Sequence, residues 1–253
     1  MPRVLLIHGG GHGAWCWSDV QRYLDGAGIA SSAFDLPGAG ADSSPRVGID
    51  LADYIDATIA QIDAIDDDVV LVGHSIAGLT LPAVAAARPE RIAHVLYIAA
   101  LITEPGERGI DSIPADRRPS YFQMAERSGE YSLLPPFPAA WERFFPSLDE
   151  PQARSCYERL TPQPLQPYLD PNPVDARRSQ VPRSYLLLED DRTFPAPLAR
   201  TFAQRAGIEP IVRRGDHCWM LTDPHACANS IANSITDSIT DSITEVAHPI
   251  SDR

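Results

Sequence analysis

The pentapeptide Gly73-His74-Ser75-Ile76-Ala77 lies between the apolar run Val69-Val70-Leu71-Val72 and the helix-like stretch Gly78 to Ala87. A serine at the apex of a tight strand-to-helix turn presents its hydroxyl to solvent. The backbone N–H behind it sits at the positive end of a helix dipole. Gly73 and Ala77, two residues to either side, are small enough for the chain to pack through such a turn. A serine hydroxyl is a weak nucleophile. It needs a base to take its proton, and the base needs a carboxylate to orient it. With a serine on this kind of turn the expected order is serine, acid, histidine, the last two on loops that follow late strands.

Seven histidines are available for the base. His8 and His12 precede the serine, and His74 adjoins it and is expected to point away along the turn. His94 opens a strand and reads as structural, while His225 and His248 fall in or near the last helix. His217 follows the strand Ile208 to Arg213 in the loop Arg214-Gly215-Asp216-His217-Cys218-Trp219, which makes it the candidate base. For the acid, Leu186-Leu187-Leu188 runs into Glu189-Asp190-Asp191-Arg192. Asp191 lies furthest past the strand end and is the candidate, with Asp190 the alternative. Asp216 reads as a turn residue.

Acyl transfer also needs two N–H groups aimed at one point, where charge develops on the carbonyl oxygen. Ile76, directly after the serine, supplies one. Gly10, in the loop His8-Gly9-Gly10-Gly11-His12-Gly13 after the first strand, supplies the other. The competing reading of that loop is a phosphate cradle, but its spacing does not make G-x-G-x-x-G and there is no Walker pattern.

These residues need elements to hold them. Val4 to Ile7 reads as a strand, Trp15 to Ala27 as a helix closed by Gly28, and Ala30 to Phe34 as a strand. Leu51, Tyr54, Ile55, Ile59, Ile62 and Ile65 recur at three- and four-residue steps, which predicts an amphipathic helix. Strands follow at Val69 to Val72 and Val95 to Ala99, with a helix between them that Pro82 is expected to bend. Strands alternating with helices imply a mostly parallel central sheet covered on both faces, an α/β fold. The pattern breaks at Thr103. Fourteen of the 24 prolines lie between there and Arg183, several beside the aromatics Tyr121, Phe122, Phe137, Trp141, Phe144, Phe145, Tyr157 and Tyr168. Proline forbids long regular elements and aromatics need something to pack on, so residues 103–183 are expected to form an inserted helical cap. Residues 1–102 and 184–253 then form the core. The tail repeats Ser-Ile every four residues, with Ile231, Ile235, Ile239 and Ile243 drifting by about 40° per step on a helix. The early copies are expected to be a core helix and the later ones to fray towards Arg253.

A net charge of −13 argues against nucleic acid or an anionic membrane surface as partner. The four cysteines, Cys16, Cys156, Cys218 and Cys227, have neither CxxC nor metal spacing, so free thiols in a reducing compartment are expected. The first strand begins at Val4 with no signal peptide or spanning run before it, and the cytoplasm is the expected location.

The stretches His8-Gly9-Gly10-Gly11-His12-Gly13-Ala14-Trp15-Cys16-Trp17, Gly73-His74-Ser75-Ile76-Ala77-Gly78 and Gly215-Asp216-His217 resemble α/β-hydrolases of the branch that holds plant methyl esterases and hydroxynitrile lyases. The resemblance covers both core segments, and it departs at Ala77, where glycine is usual. It implies Ser75, Asp191 and His217 as a catalytic triad, Gly10 and Ile76 as oxyanion donors, and His12 and Trp15 near the pocket, with Cys218 a further pocket candidate. Lyases of this branch typically carry a lysine directly after the catalytic histidine and a glutamate before the serine. Here those positions are Cys218 and His74, which favours hydrolysis. The expectation is a serine hydrolase for a small, largely apolar carboxylic or carbamate ester, with no metal or organic cofactor. A homodimer is left open. Cyanohydrin or C–C bond cleavage on the same triad, and a non-catalytic small-molecule binder, are the alternatives.

Overall fold

The computed structural model describes the chain at residues 2–246, with side-chain environments through residue 235. The elements run β1 (Arg3–Ile7), α1 (Ser18–Gly26), β2 (Ser31–Ala33), α2 (Leu51–Asp63), β3 (Val69–His74), α3 (Leu81–Ala87) and β4 (Ile92–Ile98). Then come α4 (Arg118–Ser128), β5 (Ser132–Leu133), α5 (Phe137–Phe144), α6 (Glu150–Tyr157), β6 (Gln163–Pro164) and α7 (Gln166–Leu169). The chain closes with β7 (Arg183–Leu188), α8 (Ala196–Arg205), β8 (Ile211–Arg213), α9 (Trp219–Thr222) and α10 (Pro224–Val246).

Six strands form one sheet in the order β2-β1-β3-β4-β7-β8, and every pairing is parallel. Both faces are covered at the centre of the sheet, which explains why β1 and β3 read as unbroken apolar runs. Leu5, Ile7, Val69, Leu71, Val95 and Tyr97 pack on one side with Tyr54 and Ile62 of α2. Val4, Leu6, Val70, Val72, Leu96 and Ile98 pack on the other with Val20 and Leu24 of α1 and Ile231 of α10. α2 starts on a capping box, the Asp50 side chain accepting from Asp53 N–H and Asp53 reaching back to the Asp50 N–H.

Strand order reverses at β1, with β2 added on one side of it and β3 on the other, so the carboxyl ends of β1 and β3 form the switch point where ligands of such sheets bind. The register Ile7↔Gly73 sets the glycine loop directly beside the serine turn. β7 and β8 end on the same edge.

The segment between β4 and β7 holds short helices and the antiparallel pair β5–β6, a strand pair the composition did not suggest. Its own small cluster is Ala125, Leu133 and Leu165, with Tyr121, Phe122, Met124 and Tyr168 packed on it.

One local expectation is corrected. The helix after Ser75 is not bent at Pro82. It is broken earlier, into a 3-10 turn at Ser75–Leu79 and then α3, and Pro82 falls in the first turn of α3, where a missing N–H costs nothing. In the tail, α10 is one helix to Val246, with Ile231 and Ile235 buried. The side chains of Ile239 and Ile243, His248 and the fraying expected towards Arg253 lie outside the described residues. Among the described residues no helix is long and apolar enough to cross a membrane.

Candidate active site

Ser75 sits at φ 55°, a left-handed conformation that L-residues other than glycine avoid. The strain is over-determined by packing. A Cβ on Gly73 would come within 2.5 Å of Leu81 Cδ1, and one on Gly9 within 2.6 Å of His74 Nδ1 and 2.9 Å of Ser75 Cβ. The small residues thus let β3, the 3-10 turn and the glycine loop crowd together, and the crowding forces the turn. Holding a serine there costs about 1–3 kcal/mol, which the surrounding fold must supply.

Ser75 Oγ lies 3.1 Å from His217 Nε2, and His217 Nδ1 lies 2.8 Å from Asp191 Oδ2. The arrangement fits one tautomer: Nδ1–H donates to the carboxylate and Nε2 accepts from the serine hydroxyl. Asp191 is itself held, because its Oδ1 accepts from the N–H groups of Thr193 and Phe194 at 2.6 and 2.9 Å. All three residues are buried, and the serine is still 7% exposed. Asp190 is turned outward, towards Arg214 at 3.7 Å. The structure therefore brings Ser75, His217 and Asp191 together and leaves Asp190 out.

The Gly10 N–H has no acceptor among the described residues. The Ile76 N–H lies in the first turn of a 3-10 helix, ahead of the first intrahelical donor. Both belong to loops that meet at Ser75.

Three further histidines surround the centre, each buried and kept neutral. His8 donates from Nδ1 to Gly9 O at 2.8 Å and accepts from the Leu36 N–H, and burial lowers its pKa. His12 donates from Nδ1 to Gly10 O at 3.0 Å and accepts the Cys218 thiol at 3.4 Å; burial pushes its pKa down to about 3. His74, expected to point away from the serine along the turn, packs against His217. Its ring packs 4.7 Å from that of His217, and Nε2–H donates to the His217 carbonyl at 2.9 Å. Burial first, and the neighbouring His217 second, hold its pKa well below the usual histidine value.

Asp216 is also more than a turn residue. It is buried, and it accepts Ser147 Oγ at 2.6 Å and Thr222 Oγ1 at 2.7 Å. That ties the loop carrying His217 to the segment between β4 and β7. Burial raises its pKa.

A cavity of about 230 Å³ opens over Ser75, below the roughly 300–1,000 Å³ of drug-sized sites. Ile113, Met124, Leu133, Leu134, Phe144 and Phe194 make it largely apolar. His12 lines it as expected, but Trp15 and Cys218 do not. Trp15 is stacked behind His12 at 5.7 Å with Arg159 on its ring, and Cys218 is buried against His12. Each carries a side chain that fills space behind the wall. Arg143 and Gln163 line the cavity and were not singled out by sequence, and Tyr168, named only among the aromatics of its segment, lines it too. Aromatic content marked the segment as packed, but no spacing could show which of its polar groups turn inward.

Residues 4–230 match the alpha/beta hydrolase family. Polyneuridine aldehyde esterase of Rauvolfia serpentina is 26% identical over 238 residues, covering 87% of this chain and 90% of that protein. An extracellular alpha/beta-hydrolase from a Paenibacillus species, described as sharing structural and functional homology with tobacco salicylic acid binding protein 2, superposes with a TM-score of 0.85 at 25% identity, covering 92% of this chain and 98% of that one. A pyrethroid hydrolase from Sphingobium faniae JZ-2 shares the fold at a TM-score of 0.76 and 20% identity, over 92% of this chain and 96% of that one. A parallel sheet with a strained serine at its switch point, matched along almost its whole length, places this chain in the alpha/beta hydrolase family.

Proposed function

We propose that the protein is a serine esterase that cleaves a small, largely apolar carboxylic ester through an acyl-enzyme. The observation that supports this most is the continuous path from Asp191 through His217 to a serine held at φ 55°. Ser75 Oγ attacks the ester carbonyl while His217 Nε2 takes its proton. Asp191 holds the imidazole in the tautomer that can accept it and stabilises the imidazolium that results. The Gly10 and Ile76 N–H groups receive the developing oxyanion, each contributing on the order of 3 kcal/mol to lowering the barrier. His217 then protonates the leaving alcohol as the tetrahedral C–O bond breaks. Water, deprotonated by the same nitrogen, attacks the acyl-enzyme and releases the acid.

The neutral state of His74 serves this cycle. A second positive charge 4.7 Å from the His217 ring would oppose the imidazolium each time it forms. The segment 103–183 acts as the cap that closes the acyl or alcohol pocket. A panel of p-nitrophenyl and methyl esters tests the reading. Wild type is expected to show burst release followed by steady turnover, and Ser75→Ala to show neither. Full esterase activity in Ser75→Ala would remove it.

A further inference from the structure

One wall of the cavity carries a charge that the ester chemistry does not use. Arg143, in the last turn of α5, lines the cavity. Its Nη2 donates to Tyr121 Oη at 3.3 Å. Its Nε is buried with no hydrogen-bond partner, and no acceptor among the described residues reaches Nη1. No carboxylate among the described residues lies within ion-pair distance of this guanidinium. Arg205 shows what the same side chain does when it is structural. It bonds to Ile102 O and Ser112 Oγ and pairs with Glu107 at 3.0 Å.

An arginine cannot escape burial by losing its proton, since the guanidinium stays charged at any working pH. A partly buried guanidinium with most of its five donors unclaimed is costly unless something else supplies the counter-charge. The side chain also sits among groups that define the reaction end of the cavity. Its Cζ lies 5.9 Å from the Phe144 ring, and that ring lies 6.0 Å from His217. Tyr168 faces the same space from the glycine-loop side, where its hydroxyl lies 3.2 Å from the position a Cβ on Gly10 would take. That hydroxyl has no protein partner among the described residues, so it is a second donor free for a ligand.

We propose that the ester this site accepts carries a carboxylate remote from the scissile bond, bound by Arg143 and steadied by the Tyr121 hydroxyl. Half-esters of small dicarboxylic acids are the simplest members of the class. The planar fork of guanidinium donors matches a carboxylate edge, and the apolar walls fit the hydrocarbon between the two ends. The inference rests on the ester-hydrolase reading for its account of turnover but makes a separate claim about binding.

The test uses monomethyl esters of straight-chain dicarboxylic acids, from succinate to sebacate, each paired with the methyl ester in which the free acid is a primary amide. The two differ in charge and hardly in shape. At the best chain length, wild type is expected to prefer the half-ester by roughly tenfold or more in kcat/KM, the scale of one charge-assisted hydrogen bond. The preference should fall close to one in Arg143→Met, be partly retained in Arg143→Lys and be reduced in Tyr121→Phe, with the change carried mainly by KM. Calorimetric binding of the same pairs to Ser75→Ala, with and without Arg143→Met, reads the anion site without turnover. Esters hydrolysed with no preference for the half-ester, or with a preference that Arg143→Met leaves intact, would overturn the proposal while the hydrolase reading stands. Arg143-dependent binding of the half-ester by a protein that turns over no ester would do the reverse.

Discussion

His217 Nδ1 lies 2.8 Å from Asp191 Oδ2, and the other oxygen of that carboxylate is already committed to the N–H groups of Thr193 and Phe194. Asp191 therefore has one oxygen fixed by its own loop and one left for the imidazole. Asp191→Asn keeps the shape but offers an amide N–H where an acceptor is needed, turning His217 to the wrong tautomer. A loss on the order of 10⁴-fold in kcat is expected with the fold retained. Asp190→Asn, on a side chain turned towards Arg214, is expected to stay within about twofold, since an exposed pair of this kind contributes little. Steady-state kinetics of both variants on one ester checks the assignment. The reverse ranking would move the acid to Asp190.

Function and stability oppose each other at Ser75. Replacing it by alanine removes the nucleophile but leaves a Cβ at φ 55°. Replacing it by glycine removes the nucleophile and the strain together. Ser75→Gly is expected to be more stable than Ser75→Ala by about 1 kcal/mol despite the entropy of the added glycine, with both variants inactive. Urea midpoints at a common slope measure it. Equal midpoints would mean that the strain at this turn is no larger than the entropic cost of a glycine.

Gly9 is needed for the space it leaves. Gly9→Ala would put a methyl 2.6 Å from His74 Nδ1 and 2.9 Å from Ser75 Cβ. Backbone of the glycine loop must move, so a cost of about 1–3 kcal/mol is expected. Activity should fall further than stability accounts for, since the displaced loop carries the Gly10 N–H. Melting temperature and kcat measured together separate the two effects.

Acid should unfold the protein through its buried histidines. His8, His12 and His74 are neutral when folded and have pKa values lowered by burial, that of His12 to about 3. A folded pKa below the unfolded value of 6.5 means that the stabilisation is full above that value and is lost as pH falls towards the folded pKa. Each such histidine contributes a slope of about 1.4 kcal/mol per pH unit across that window. His12→Gln is therefore expected to flatten the dependence of unfolding free energy on pH between roughly pH 4 and 6 by about that amount. Chemical denaturation across that range reads the slope directly, whatever the variant's absolute stability. An unchanged slope would mean that His12 is protonated in the folded protein.

Asp216 and Ser147 join the base loop to the segment between β4 and β7. Ser147→Ala removes one donor from a buried carboxylate that keeps Thr222, at a cost of about 1–3 kcal/mol. The loosened loop is expected to lower kcat while the pH dependence of the rate keeps its shape, since His217 and Asp191 are untouched. A pH–rate profile beside wild type checks this.

Much of the site was legible because its constraints are local. A serine between two small residues, with an apolar strand before it, can only be read as a tight turn. A glycine loop after the first strand and a histidine after the last are separate local signals of the same kind. Parallel strands share one carboxyl edge, so three such signals on three strand ends converge without any further information. Distance past the strand favours Asp191 over Asp190, and the structure turns Asp191 inward with its Oδ1 held by the N–H groups of Thr193 and Phe194.

What the sequence determined by itself is the parallel sheet and the placing of a serine, a glycine loop and a histidine at its strand ends. The tertiary structure decided everything that depends on which way a side chain turns. It set the ring of His74 against that of His217, hid Trp15 and Cys218 behind His12, and gave Asp216 a partner 69 residues distant. It also faced Arg143 into the cavity. The physical reason is that strand-end loops and helices of only two turns are too short for their spacing to fix which way a polar side chain turns. Their orientation is fixed by packing against the sheet edge, and that packing exists only once the chain has folded.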